Sequence, residues 1–133
     1  MPDTVDTIKT ELKKLGNPPR AEKSKSFFKT GPGEYGEGDQ FLGNTVPQLR
    51  AITKVYRGKA DLNTVLNLLH SKIHEYRLIA LFLLVDMYQR EKDEGVKKKY
   101  VDFYLEHLDW VNNWDLVDSS AHKILGDWLQ GRQ

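Results

Sequence analysis

The 133 residues include no cysteine, so neither a disulfide nor a thiolate-held metal can contribute to the fold. No uninterrupted apolar run exceeds the eight residues from Leu78 to Val85, whereas a membrane-spanning helix needs about 20. The opening residues, Met1-Pro2-Asp3-Thr4-Val5-Asp6, have neither the basic start nor the apolar stretch of a secretory signal. No membrane partner and a cytoplasmic location are therefore expected. There is almost no net charge, +1, so the chain as a whole is not a polycation. Its halves differ, however. Residues 1–60 carry 11 Lys/Arg against 7 Asp/Glu, and residues 61–133 carry 9 against 12. Any phosphate-binding footprint is expected in the basic half, because such contacts come from local cations and not from the sum.

Apolar residues make up 39% of the chain and aromatics 11%, enough to build one compact core. Their spacing is helical throughout, and no alternating stretch reads as a strand. Val5, Ile8, Leu12 and Leu15 form one stripe, ended by Gly16 and Asn17-Pro18-Pro19. A short helix is predicted from about Arg20 to Phe28. A loop from Thr30 to Thr45 with five glycines follows, and Pro47 then sits where a first-turn proline belongs. That helix carries Leu49, Ile52, Val55 and Tyr56. Asp61 is the expected N-cap of the next, with Leu62, Val65, Leu66 and Leu69 on its apolar face. The segment from His74 to about Arg90 is apolar on nearly all sides and is predicted to be the central helix. Helices at about 94–108 and 113–129 complete the chain. Leu66, Leu69, Ile79, Leu83 and Val117 are expected in the core.

The last four helices read as two antiparallel pairs. Their second members begin 39 residues apart, near His74 and Asn113, close to the roughly 40–47 residue period of HEAT-type repeats. The expected fold class is all-α, a HEAT-like helical repeat spanning residues 1–133 as one domain.

Several motif-like strings carry no chemistry. Gly31-Pro32-Gly33-Glu34-Tyr35-Gly36 matches a dinucleotide-loop pattern, but no strand precedes it. His74-Glu75 opens like a zinc-protease helix, yet Leu78 stands where the second histidine is required. His70 and His74 are separated by a helix break, His107 and His122 are isolated, and no metal site is expected. Lys97-Lys98-Lys99 could touch phosphate, but a charge run at a helix start is more often simply a solvated face. In Trp110-Val111-Asn112-Asn113-Trp114-Asp115-Leu116-Val117-Asp118, an asparagine can cap a helix and Asp115 suits its first turn. Asp118 has no such capping role. It lies one turn after Trp114, so carboxylate and indole project from the same side, and on spacing alone the pair reads as an exposed helix carboxylate beside a core tryptophan.

Taken in order, Phe27 to Asp39, Phe41-Leu42-Gly43-Asn44-Thr45-Val46-Pro47-Gln48-Leu49-Arg50, His74-Glu75-Tyr76-Arg77-Leu78-Ile79-Ala80-Leu81, Trp114-Asp115-Leu116-Val117-Asp118 and Leu125-Gly126-Asp127 resemble the bacterial DNA alkylation repair family, the AlkD-type alkylpurine DNA glycosylases. The resemblance implies a right-handed solenoid of helix pairs whose concave basic face holds duplex DNA, and hydrolysis of the glycosidic bond of N3- or N7-alkylated purines without metal or organic cofactor. It assigns the catalytic carboxylate to Asp118 and a cleft-lining role to Trp114. It brings Thr45 and Arg50 near the DNA backbone, and Lys29, Lys54 and Arg77 are the further cations expected there. Chains of this family continue past the Leu-Gly-Asp helix with more helix pairs, so residues 1–133 are expected to be the N-terminal part of a longer solenoid. The competing expectation is a non-catalytic helical-repeat module that binds DNA or protein.

Overall fold

The computed structural model describes residues 4–27, 40–111 and 114–130, with the side chains of residues 25–27, 114, 115, 118 and 119 excepted. The described chain is all-α. Helix α1 (Thr4–Lys14) buries Val5, Ile8 and Leu12 of its predicted stripe. Leu15 lies past the last helical residue and is exposed. Helix α2 (Pro18–Phe27) starts earlier than expected. The Oδ1 of Asn17 accepts the Arg20 N–H at 2.9 Å, and the two prolines that stop α1 also suit a first turn, where a missing N–H costs nothing.

Helices α3 (Val46–Val55), α4 (Leu62–Leu69), α5 (His74–Arg90) and α6 (Glu94–Glu106) follow, then a 3₁₀ turn (Leu108–Trp110). The predicted last helix is α7 (Trp114–Ala121), a π turn (His122–Gly126) and α8 (Asp127–Gln130) in succession. Asp61 caps α4 as expected, in a reciprocal box with Thr64. Its acceptance of the Thr64 N–H holds the Asp61 carboxyl below its ordinary pKa, against a smaller opposing effect of burial. Among the described residues, extended pairing is confined to one parallel bridge between Gln40 and Ile73.

Helix α5 is the axis of the core, as its all-round apolar sequence foretells. It packs against α3, α4, α6 and α7, while α1 packs on α4. Ile79, Leu81, Leu83, Leu84 and Tyr88 are essentially inaccessible to solvent. The neighbouring helices each turn one stripe toward it, and this is the arrangement of an all-α helical repeat. Two expected core residues are half-buried. Leu66 flanks the stripe that Val65, Leu68 and Leu69 bury, and Val117 flanks that of Leu116 and Ser120. Val55 is exposed because α3 turns Leu49, Ile52 and Tyr56 inward instead.

Candidate nucleic-acid interface

Arg50, Lys54 and Arg57 recur at four and three residues, so α3 and the turn after it present them along one stripe. Phe82, Asp86 and Gln89 repeat the same spacing on α5. These two stripes and Lys123 of the π turn line a groove of about 290 Å³. Four cations face one carboxylate there. The Arg50 guanidinium lies 5.1 Å from the centre of the Phe82 ring, which fixes its direction while leaving its N–H donors available. Asp86 accepts from Arg57 Nε at 3.0 Å and Nη2 at 2.9 Å on one oxygen, and from Arg90 Nη1 at 3.4 Å on the other. Lys54 is exposed. The groove thus offers guanidinium and ammonium donors on a rigid two-helix platform, a surface suited to a polyanion and to no particular base sequence.

The entry to α3 is built from the backbone up. Thr45 Oγ1 accepts the Gln48 N–H at 3.3 Å, and Gln48 Oε1 accepts the Thr45 N–H at 3.0 Å, with Pro47 in the first turn. The Thr45 hydroxyl oxygen thus serves as the cap acceptor. Just upstream, the buried Glu75 accepts the Leu42 and Gly43 N–H groups, each at 2.9 Å. Arg20 Nη1 donates to the Gly43 carbonyl at 2.7 Å, and Asn44 Nδ2 to the Leu12 carbonyl at 2.9 Å. Gly43 has φ +85°, and a Cβ on it would stand 2.0 Å from the Asn17 carbonyl oxygen, so no other residue fits. The Phe-Leu-Gly and His-Glu-Tyr-Arg strings meet here. They form one clamp that sets where the α3 cations lie.

Helix α7 and the π turn after it are fixed by a buried stripe of Leu116 and Ser120 from the helix and Ile124 from the turn. Ser120 Oγ donates to the Leu116 carbonyl at 2.7 Å, so the Tyr104 hydroxyl, 2.9 Å away, must be the donor to Ser120. Burial, only partly offset by that bond, pushes the Tyr104 pKa up and keeps it a donor. Tyr88 ties the following turn by donating to Asp127 Oδ2 at 2.7 Å. Positions 114 and 118 lie two residues before and two residues after Leu116, each about 200° around the helix from it. Backbone register thus puts both on the side of α7 away from its core stripe. Their side chains, like the whole of Lys29, lie outside the described residues.

Of the cations expected at the surface, Arg50 and Lys54 share the groove. Arg77 does not join them. It is 2% exposed and donates through Nη1 to the Trp110 carbonyl at 3.4 Å, beneath the chain that leads into α7. Its position in the first turn of the all-round buried α5 is the physical reason. Sequence reading missed Arg57, Asp86 and Lys123. Arg57 was legible, since it continues the Arg50–Lys54 stripe, whereas nothing local marks Lys123 as a neighbour of α3. The histidines are also less isolated than expected: His70 stacks on Trp110 at 4.7 Å and lies 5.4 Å from His107, ring centre to ring centre. Among the described residues, no group of three or more histidine or acidic side chains could hold a metal ion, and no helix is long and apolar enough to cross a membrane.

No curated protein and no solved structure matches the chain significantly. The sequence profile described as "DNA alkylation repair enzyme" matches residues 8–133, a span holding the clamp, the cationic groove and α7. The chain therefore belongs to the DNA alkylation repair enzyme family.

Proposed function

We propose that the protein takes part in excision of N3- and N7-alkylated purines from duplex DNA, with the groove of Arg50, Lys54, Arg57 and Lys123 against the phosphate backbone and Asp118 beside the lesion's sugar. The family match over residues 8–133 carries this reading, and the cationic groove supports it. An N-alkylated purine already bears positive charge and is a good leaving group. As the C1′–N bond breaks, its electron pair goes to the purine and neutralises it, while positive charge grows on the sugar. A carboxylate at position 118 stabilises that charge, and the attacking water bonds to C1′ and passes its proton to solvent water. Trp114, one turn earlier on the same side of α7, offers a ring face to the cationic base. The chemistry needs no metal or organic cofactor. Arg50 and Lys54 bind backbone, and Thr45, the cap acceptor, contributes by aiming the first turn of α3. Lys29 remains an expected backbone contact. In this reading residues 1–133 form one helical-repeat domain.

The test is incubation with N-methylated duplex DNA, followed by detection of released N3-methyladenine and N7-methylguanine, in single-turnover comparison with Asp118→Asn. The variant is expected to lose a factor of about 10²–10³ in excision rate with DNA affinity unchanged or slightly raised. Equal rates in a folded variant remove Asp118 from the mechanism. DNA binding without any base release by the parent chain favours a non-catalytic DNA-binding module.

A further inference from the structure

We propose that the cleft enclosed by the π turn, the C-terminal end of α5 and the start of α6 binds a phosphate group, and that it takes a phosphodiester of the same backbone that the α3–α5 groove holds. This rests on the reading of that groove as the DNA interface. The cleft measures about 480 Å³ and is lined by Tyr88, Gln89, Lys97, His122, Lys123 and Asp127, among others. Gln89 and Lys123 line the groove as well, so the two spaces are contiguous.

Lys123 is the reason to expect an anion. It is half-buried at the junction of the two spaces and has no hydrogen-bond or ion-pair partner among the described residues. An ammonium partly withdrawn from water without a counter-charge is costly, and an anion placed against it offsets that cost. The carboxylate one turn further on, Asp127, also lines the cleft; it forms no ion pair with Lys123 and accepts the Tyr88 hydroxyl at 2.7 Å. A second cation is held nearby. Lys97 Nζ lies 4.7 Å from the centre of the Tyr88 ring, while its neighbour Lys98 is paired with Asp102 at 3.1 Å. The lysine run is therefore divided, with Lys98 on the solvated face and Lys97 turned to the cleft.

The donor set selects the ligand. Two ammonium groups, the Gln89 amide and the His122 ring suit a group that presents several acceptor oxygens. A nucleobase has less to gain, because Lys97 covers a face of the Tyr88 ring. The arrangement extends the anion track from α3, across Lys123, to α6.

The experiment is fluorescence anisotropy of a labelled duplex over a series of salt concentrations, with the full chain and the variants Lys97→Gln, Lys97→Arg and Lys54→Gln, each shown by circular dichroism to be folded. Lys97→Gln is expected to weaken binding about five- to tenfold near 0.1 M salt and to reduce the slope of log K against log salt by about 0.9, one phosphate contact, while Lys97→Arg keeps the slope. An unchanged slope in Lys97→Gln, with a reduced one in Lys54→Gln, overturns the second station and leaves the groove reading intact. Unchanged slopes in both overturn the groove reading itself. A loss that Lys97→Arg fails to restore shows an effect of packing and not of charge, and overturns the proposal. In a separate arm, inorganic phosphate is titrated while the amide resonances of His122 and Lys123 are followed. Shifts at millimolar phosphate, together with an unchanged duplex slope in Lys97→Gln, identify a free-phosphate site and overturn the backbone station.

Discussion

Glu75 and Asp86 are carboxylates on one helix, about three turns apart, and they are satisfied in opposite ways. Glu75 is buried and bound to two backbone N–H groups, which cannot rotate away. Asp86 is held by Arg57 and Arg90, whose side chains are 46% and 50% exposed and can swing to another anion. The first arrangement belongs to the fold, since it fixes the loop that delivers α3. The second leaves two guanidinium groups at the edge of the groove, neutralised but not committed. The N-terminal end of α5 is built to stay, and its C-terminal end to exchange partners.

The strongest way to break this contrast is Glu75→Gln. The amide keeps one acceptor but turns an NH₂ donor toward one of two buried N–H groups, so a loss of about 2–4 kcal/mol in unfolding free energy is expected, measured by urea denaturation. A loss below half a kcal/mol places the loop's anchorage elsewhere. Asp86→Asn should do the reverse. Exposed pairs are worth at most about 1 kcal/mol, so stability changes little. Duplex affinity is expected to rise about two- to fivefold at low salt as the two arginines are released, with the gain fading as salt increases. A fall in affinity would mean that Asp86 aims the arginines more than it neutralises them.

Tyr76 sharpens the comparison at the buried end. Its hydroxyl is enclosed without a hydrogen-bond partner among the described residues, and burial together with the charge of Glu75 raises its pKa. Tyr76→Phe removes an unpaired polar group and is expected to leave stability unchanged or raise it by up to about 1 kcal/mol. The smallest effect is at Asp61. Its folded pKa is lowered by the Thr64 N–H, so its contribution is complete above the unfolded carboxylate value near 4 and is lost as pH falls through the folded value. Asp61→Asn retains a capping side chain at neutral pH, so thermal melts from pH 6 to pH 2 should show a shallower acid decline than the parent.

Periodicity alone located α1, α3, α4, α5 and α6, because each buries a stripe or, in α5, nearly its whole circumference, and that demand is written into apolar spacing. Local chemistry likewise determined the Asp61 cap and the place of Pro47, since both act within one turn of the chain. The cationic groove was legible where its residues share a helix stripe, as Arg50 and Lys54 do. Tertiary structure decided what depends on residues far apart in sequence. It turned Arg77 inward, because the first turn of a central helix has neighbours on every side. It made Glu75 a clamp for a loop more than thirty residues away, and it brought Lys123 of the π turn beside the cations of α3. Those juxtapositions follow from how four helices and the π turn pack around α5, and no spacing within any one of them encodes that packing.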